Sequence, residues 1–386
     1  MRLLTRRSLV LVVFILVFLF SLVAFTAGYS QKASSWVTQP YNQHLYKDGN
    51  LATDVQILDR NGEILFYTAD NIGKYSKNDT IRKATMHAIG DPDGNVATGA
   101  RVAFNDKLAG WSLLNGVYRY GFSPTSKLTL TIDADLCATA YQALNGKKGA
   151  VGVYNYKTGE IICMASSPAF DPENVPDIET NQEKYEGVYI NRLFSASYTP
   201  GSIFKLVTAA AAIDNIKDIN DQTFKCSGSL ETDDGLVTCP NSHGEINFKQ
   251  ALAKSCNVTF AEISLELGHA TLQKYAEKVG FNSAVKVNKI KTAPGKIDLS
   301  QANEWDLAWA GIGQYKDTAN PINFLAFMGA VANEGKRINP VILKQNEVFS
   351  GFTSLAGGSK RILSSDTANE LKAMMRYNVA EGYGDK

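Results

Sequence analysis

The sequence predicts an α+β protein on a membrane stalk, and three observations carry that prediction. An apolar run near the N-terminus is long enough to span a bilayer. Two short apolar runs, Gly149 to Tyr154 and Ile161 to Ala165, flank a polar turn and read as a β-hairpin. Beyond residue 200, apolar residues recur with helical spacing in several separate stretches.

The run from Leu9 to Phe25 is broken only by Ser21, and small or apolar residues carry it to Ala27. A helix of roughly 20 such residues crosses a hydrocarbon layer of about 30 Å. Arg2, Arg6 and Arg7 precede it with no acidic residue, which places the N-terminus in the cytoplasm and the rest of the chain outside. Ala24-Phe25-Thr26-Ala27 is a poor cleavage site, so an uncleaved single-pass anchor is favoured over a removed signal. The expected organisation is a cytoplasmic tail (1–8), a transmembrane anchor (9–27), an extracellular pedestal (28–125) and a second domain (126–386).

The pedestal is rich in turns, such as Asp59-Arg60-Asn61-Gly62 and Asp91-Pro92-Asp93-Gly94-Asn95, with short strand-like pieces such as Val55 to Leu58 between them. Leu128 to Ile132 then alternates as a half-buried strand, and Asp133 caps a helix through Leu144. After the hairpin and a long loop, Pro200-Gly201 leads into a helical run from Ser202 to Ile213. Further helices are expected around Phe248 to Ala253, Val258 to Leu267, Trp305 to Ala310, Asn323 to Asn333 and Asp366 to Tyr377. A mixed domain opening on a hairpin needs more strands than this.

Charge excludes some functions. With 39 Lys+Arg against 38 Asp+Glu there is no basic excess for nucleic acid. The five cysteines (137, 163, 226, 239 and 256) are odd in number; Cys226 and Cys239 flank a polar segment and could pair in an oxidising compartment. Short metal motifs are absent and the four histidines are scattered, so neither a metal nor a cofactor is expected. Phosphate-binding loops and a Gly-x-Ser-x-Gly elbow are absent too.

Ser202-Ile203-Phe204-Lys205 is the candidate centre. Residues at i and i+3 share a helix face, so the hydroxyl and the amine can meet. A serine needs a base, and a lysine becomes one when desolvation lowers its pKa. Lys205 is the lone charge from Ile203 to Ile213. Ser283 and Lys286 repeat the spacing without the Pro-Gly approach or an apolar helix behind. Downstream, Ser255-Cys256-Asn257 offers a hydroxyl to relay protons and an amide to orient a substrate, although Ser255 and Asn257 could equally cap the next helix.

Ser202/Lys205 followed by Ser255/Asn257 resembles the first two motifs of penicillin-binding proteins and serine β-lactamases. The hairpin, from Gly149-Ala150-Val151 to Lys157 through Pro168, is similar to the start of their transpeptidase domain. Tyr198-Thr199-Pro200-Gly201, Gly311-Ile312-Gly313-Gln314, Asn320-Pro321 and Ala332-Asn333-Glu334-Gly335 also resemble that domain, over about residues 126 to 380. Asp59-Arg60-Asn61-Gly62 resembles the segment after the anchor in the monofunctional, class B members.

The resemblance implies a mixed sheet flanked by helices and a D,D-transpeptidase with catalytic residues Ser202, Lys205, Ser255 and Asn257. It implies peptidoglycan stem peptides as substrates, β-lactams as inhibitors, and membrane proteins of wall synthesis or division as partners. The third family motif departs. Lys157-Thr158-Gly159 precedes the nucleophile in the hairpin turn, and Lys291-Thr292-Ala293 lacks the glycine. A C-terminally truncated copy, lacking its last strands, accounts for both the missing motif and the strand shortage. The alternatives are a membrane-bound β-lactam sensor or β-lactamase, and a non-catalytic scaffold of wall synthesis.

Overall fold

The computed structural model describes residues 2–36, 46–47, 50–51, 54–69, 72–109, 125–344 and 359–382. Helix α1 (Arg2–Trp36) contains the apolar run and continues past both of its ends. Within it, Arg7–Tyr29 is long and apolar enough to cross a membrane, with a mean hydropathy of 3.1 and none of that window buried in the protein. Its two interior hydroxyls are satisfied inside the helix: Ser21 donates to the Val17 carbonyl at 2.8 Å and Thr26 to that of Leu22 at 2.7 Å.

The next unit is a four-stranded sheet in the order β3-β2-β1-β4, formed by β1 (Asp54–Leu58), β2 (Ile64–Ala69), β3 (Ile72–Tyr75) and β4 (Thr125–Thr129). Strands β1–β3 form an antiparallel meander, and β4 joins β1 in parallel. Leu128, Leu130 and Ile132 are buried as the alternation from Leu128 suggests, but Thr131 is buried with them and donates to the Ile161 carbonyl at 2.8 Å. The strand itself is shifted to 125–129, and it completes the sheet that precedes it. Its partner lies some seventy residues back along the chain, and local periodicity carries no information about that.

Asp59 explains the Asp-Arg-Asn-Gly turn. Its carboxylate is buried and accepts from the Asn61 and Glu63 N–H groups at 2.7 and 2.9 Å, closing the β1/β2 hairpin. Its other oxygen accepts from the Ala134 N–H at 3.1 Å, the first residue of α3 (Ala134–Leu144). Asp133 caps that helix by accepting from Leu136 N–H at 2.9 Å. Helix α3 packs on the hairpin of β5 (Gly149–Tyr154) and β6 (Ile161–Ser167) and on α2 (Asp79–Ile89). One apolar cluster runs through all of these elements, from Val55 and Ile57 to Cys163 and Phe194.

In the hairpin turn, Asn155 accepts from Lys157 N–H at 2.9 Å, and Gly159 (φ +84°) lies so close to Asn339 that a Cβ would stand 2.4 Å from its carbonyl oxygen. The segment at Val341 runs beside β6, with Ile161 N–H donating to its carbonyl at 2.9 Å. Lys157-Thr158-Gly159 is therefore turn chemistry.

The helical half surrounds a second apolar cluster. It contains α4 (Lys205–Asn215), α5 (Phe248–Ala253), α6 (Asn257–Val279), α7 (Glu304–Ala310), α8 (Pro321–Ala332) and α9 (Ser365–Tyr377). Ala209 to Ala212 are fully buried, and these small side chains let α4 lie against α6. The polar stretch between α4 and α5, to which no strand is assigned from sequence, folds into two small antiparallel ladders: β7 (Thr223–Cys226) with β10 (Gly244–Asn247), and β8 (Ser229–Thr232) with β9 (Gly235–Thr238). Of these strands only β7 buries alternate residues, Phe224 and Cys226, while β9 and β10 bury one each and β8 none, so their apolar signal is too sparse to read.

Candidate functional site

The chain approaches Ser202 through Pro200 and Gly201, which adopts φ +58°. Residues Gly201–Phe204 form one turn of 3₁₀ helix before α4 begins at Lys205. The sequence suggested an α-helix from Ser202 onward. A 3₁₀ turn has three residues per turn, so positions i and i+3 eclipse and the Ser-x-x-Lys spacing brings the two side chains into line. Ser202 and Ile203 face solvent, whereas Phe204 and Lys205 point inward. Phe204 is fully buried and packs edge-on against Phe281, their ring centroids 5.3 Å apart.

The turn is held from behind by the Gly311-Ile312-Gly313-Gln314 segment. Gly201 N–H donates to the Gly313 carbonyl at 2.9 Å. Gly313 has φ +73°, and a Cβ there would stand 2.4 Å from the Gly201 oxygen and 2.7 Å from the Phe204 Cβ. A Cβ on Gly311 would overlap Ser264, and the Gly311 carbonyl accepts from Thr208 Oγ1 at 2.7 Å. Sequence reading treated these glycines as a family likeness; their tight backbone approach is what they supply.

Lys205 is 1% exposed. Its Nζ lies 3.3 Å from Ser202 Oγ, 2.9 Å from Ser255 Oγ, 2.7 Å from the Ser255 carbonyl and 2.7 Å from Asn257 Oδ1. The Phe260 ring sits 5.9 Å away. All four oxygens are neutral. Burial pushes the Lys205 pKa down to about 8, against a smaller opposing pull from the thiols of Cys239 and Cys256. The two carbonyl-type oxygens can only accept, so a neutral amine gives them its two hydrogens. Its single lone pair is then left to accept from one serine hydroxyl at a time, with Ser202 Oγ and Ser255 Oγ both in reach.

Helix α6 begins at Asn257 with Cys256, not Ser255 or Asn257, as its cap. Asn257 instead directs its amide across the site: Oδ1 accepts from Lys205 while Nδ2 donates to the Thr238 carbonyl at 2.9 Å, which fixes the amide orientation. Ser255 has φ +51°, a left-handed conformation rare for a residue other than glycine. All four residues singled out from the sequence thus meet around one amine.

The look-alikes lie elsewhere. Ser283 donates to the Gly280 carbonyl at 3.0 Å and Lys286 is exposed. Thr292 is buried and holds the Val285 N–H at 3.0 Å. Cys226 and Cys239 are not bonded; they lie with Cys256 and His243 in one cluster beside Asn257, a grouping that the sequence reading missed.

Residues 149–386 match the model of the penicillin-binding protein transpeptidase domain. Among curated proteins, the chain is 28% identical over 241 residues to stage V sporulation protein D of Bacillus subtilis, covering 60% of this chain and 36% of that one. It is 26% identical over 251 residues to the peptidoglycan D,D-transpeptidase PbpA of Mycolicibacterium smegmatis, covering 59% and 50%. The matches therefore span between about a third and a half of those relatives' lengths. Among solved structures, the fold superposes on a D,D-transpeptidase domain from Eggerthella lenta with TM-score 0.67 and 23% identity, covering 85% of this chain and 81% of that one. It also superposes on the penicillin G acyl-enzyme complex of penicillin-binding protein A from M. tuberculosis, with TM-score 0.69 and 19% identity, covering 84% and 82%.

Proposed function

Because the chain belongs to the class B penicillin-binding protein transpeptidase family, we propose that it is built for D,D-transpeptidation of peptidoglycan stem peptides through an acyl-enzyme at Ser202. The observation that carries this reading is the buried amine of Lys205, set among neutral oxygens and 3.3 Å from an exposed serine hydroxyl.

In the first half-reaction, Ser202 Oγ bonds to the substrate carbonyl carbon as its proton passes to Lys205 Nζ. Ser255 Oγ, 2.9 Å from the same nitrogen, hands its proton to the departing amine as the amide C–N bond breaks and takes the proton held by Lys205 in its place, which returns Lys205 to the neutral form. The ester at Ser202 is then attacked by the amine of a second stem peptide, whose proton passes through Ser255 to Lys205, and Lys205 returns a proton to Ser202 Oγ as the ester C–O bond breaks. Asn257 keeps the amine aimed, since its amide is tied to both Lys205 and Thr238. A β-lactam follows the first half of this path and stays on Ser202. No Lys-Thr-Gly or Lys-Ser-Gly follows Ser255 in the sequence, so no residue here is assigned to the substrate carboxylate.

We place the chain in the cell membrane through α1, with the three N-terminal arginines on the cytoplasmic side and the Ser202 site outside. Membrane proteins of wall synthesis are then its natural neighbours.

A fluorescent penicillin tests the reading on the full chain in detergent. Stable label on the wild type, absent in Ser202→Ala, is the expected result. Label that survives Ser202→Ala overturns it, and a folded wild type that takes no label favours a non-catalytic scaffold. Rapid loss of the label by hydrolysis favours a β-lactamase.

A further inference from the structure

Four side chains drawn from residues 226 to 256 converge directly beneath Ser255 and Asn257. Cys226 ends β7, Cys239 follows β9, His243 lies in the loop before β10, and Cys256 caps α6. Their three Sγ atoms and one imidazole nitrogen all lie within 4.8 Å of one another. Cys226, Cys239 and Cys256 are buried and none is in a disulfide. Cys239 Sγ stands 3.6 Å from His243 Nδ1. In tetrahedral zinc, with Zn–S near 2.3 Å and Zn–N near 2.0 Å, neighbouring ligand atoms stand roughly 3.5 Å apart. The cluster is thus already close to the size of a Cys₃His site.

Its surroundings fit bound thiolates as well. The Asn257 N–H points at Cys239 Sγ at 3.4 Å, and the Thr259 N–H and hydroxyl point at Cys256 Sγ at 3.5 and 3.3 Å. Such donors to sulfur are what second-layer groups supply around a thiolate metal centre. We propose that Cys226, Cys239, His243 and Cys256 bind one zinc ion, and that this ion clamps the Ser255-Cys256-Asn257 turn against Lys205. Three buried soft thiolates and a half-buried imidazole select zinc over hard cations, and four protein ligands would fill a tetrahedral ion's coordination, so the ion is structural. On binding, the three thiols lose their protons to solvent while the imidazole binds neutral.

The clamp also gives the left-handed Ser255 a restraint. A non-glycine residue at φ +51° persists only where its neighbours hold it, and the next residue in the chain is a ligand. The ligands come from three separate segments, so closing the tetrahedron ties both small ladders to the start of α6.

Metal content is the primary readout, which keeps this proposal separable from the acyl-transfer reading on which only the clamping role rests. The full chain, purified in detergent under argon with a phosphine reductant and no chelator, should carry about one zinc by elemental mass spectrometry. Replacing zinc with cobalt should give the thiolate charge-transfer and intense visible bands of a tetrahedral site. Cys226→Ser and His243→Ala should weaken zinc binding about a hundredfold or more, whereas His243→Cys, which restores a ligand, and Cys163→Ser, remote from the cluster, should retain it. Ser202→Ala should keep its zinc. Stripping zinc should slow penicillin acylation, and added zinc should restore it.

The proposal is overturned if folded wild type takes up neither zinc nor cobalt, or if Cys226→Ser and His243→Ala bind like wild type. A disulfide among the three cysteines in the protein as isolated, with zinc excluded, overturns it too. A zinc-loaded chain that never reacts with penicillin removes the acyl-transfer reading and leaves the metal site standing.

Discussion

At the scale of single residues, the distinction that matters is between Ser202 and Lys205, three positions apart and opposite in exposure. The hydroxyl is exposed, as the acyl transfer proposed for Ser202 requires, while burial strips the amine of water and lowers its affinity for a proton. Lys205 must be neutral to accept that proton, and its pKa is pushed down to about 8. Acylation should therefore rise roughly tenfold per pH unit toward about 8 and then level off, measured as the second-order rate of penicillin labelling. A rate independent of pH between 6 and 9, a span of about three units, would remove Lys205 as the base. Lys205→Ala should lower the same rate by about 10²–10⁴-fold while leaving the fold intact.

Elements decide whether those residues meet. The 3₁₀ turn at Gly201–Phe204 depends on Gly313, whose missing Cβ lets two backbones touch. Gly313→Ala should cost about 1–3 kcal/mol of stability through overpacking and the left-handed φ. It should also slow penicillin labelling by more than about tenfold, since Gly201 cannot stay in place. Thermal unfolding and labelling kinetics on one preparation check both effects, and a labelling rate unchanged in a folded variant would show that the turn stands without this contact. Phe204→Ala tests the inward face: a fully buried ring packed on Phe281 should cost about 3–5 kcal/mol on removal.

Across the whole molecule, the sheet β3-β2-β1-β4, helix α3 and the β5/β6 hairpin share one apolar cluster, while the helices that carry the site share another. Among the described residues, none of the apolar window of helix α1 is buried in the protein, so lipid is the partner proposed for it. Deleting residues 7–29 should move the chain from the membrane pellet to the soluble fraction and leave Ser202 labelling unchanged. Retention in the pellet after a carbonate wash would point to a second membrane contact.

Much of this was legible in the sequence because its causes are local. Leu9 to Phe25 announces a helix long and apolar enough to cross a membrane, Asp133 announces the start of α3, and Asn155 to Glu160 specifies a turn. Ser202 and Lys205 are three residues apart, so one helical turn unites them whatever the remainder does. The rest lay in contacts between distant segments. Nothing near Leu128 says that its strand will lie beside Asp54–Leu58, and nothing near Gly313 says that it will touch Gly201. Cys239 and His243 are four residues apart, but Cys226 and Cys256 lie 13 residues to either side of them, so only the folding of two small ladders against α6 could gather all four. Backbone and side-chain propensity act over a few residues and wrote the elements and the serine–lysine pair. Burial acts over the whole chain, and it alone decided what surrounds that pair and how water is kept from the lysine.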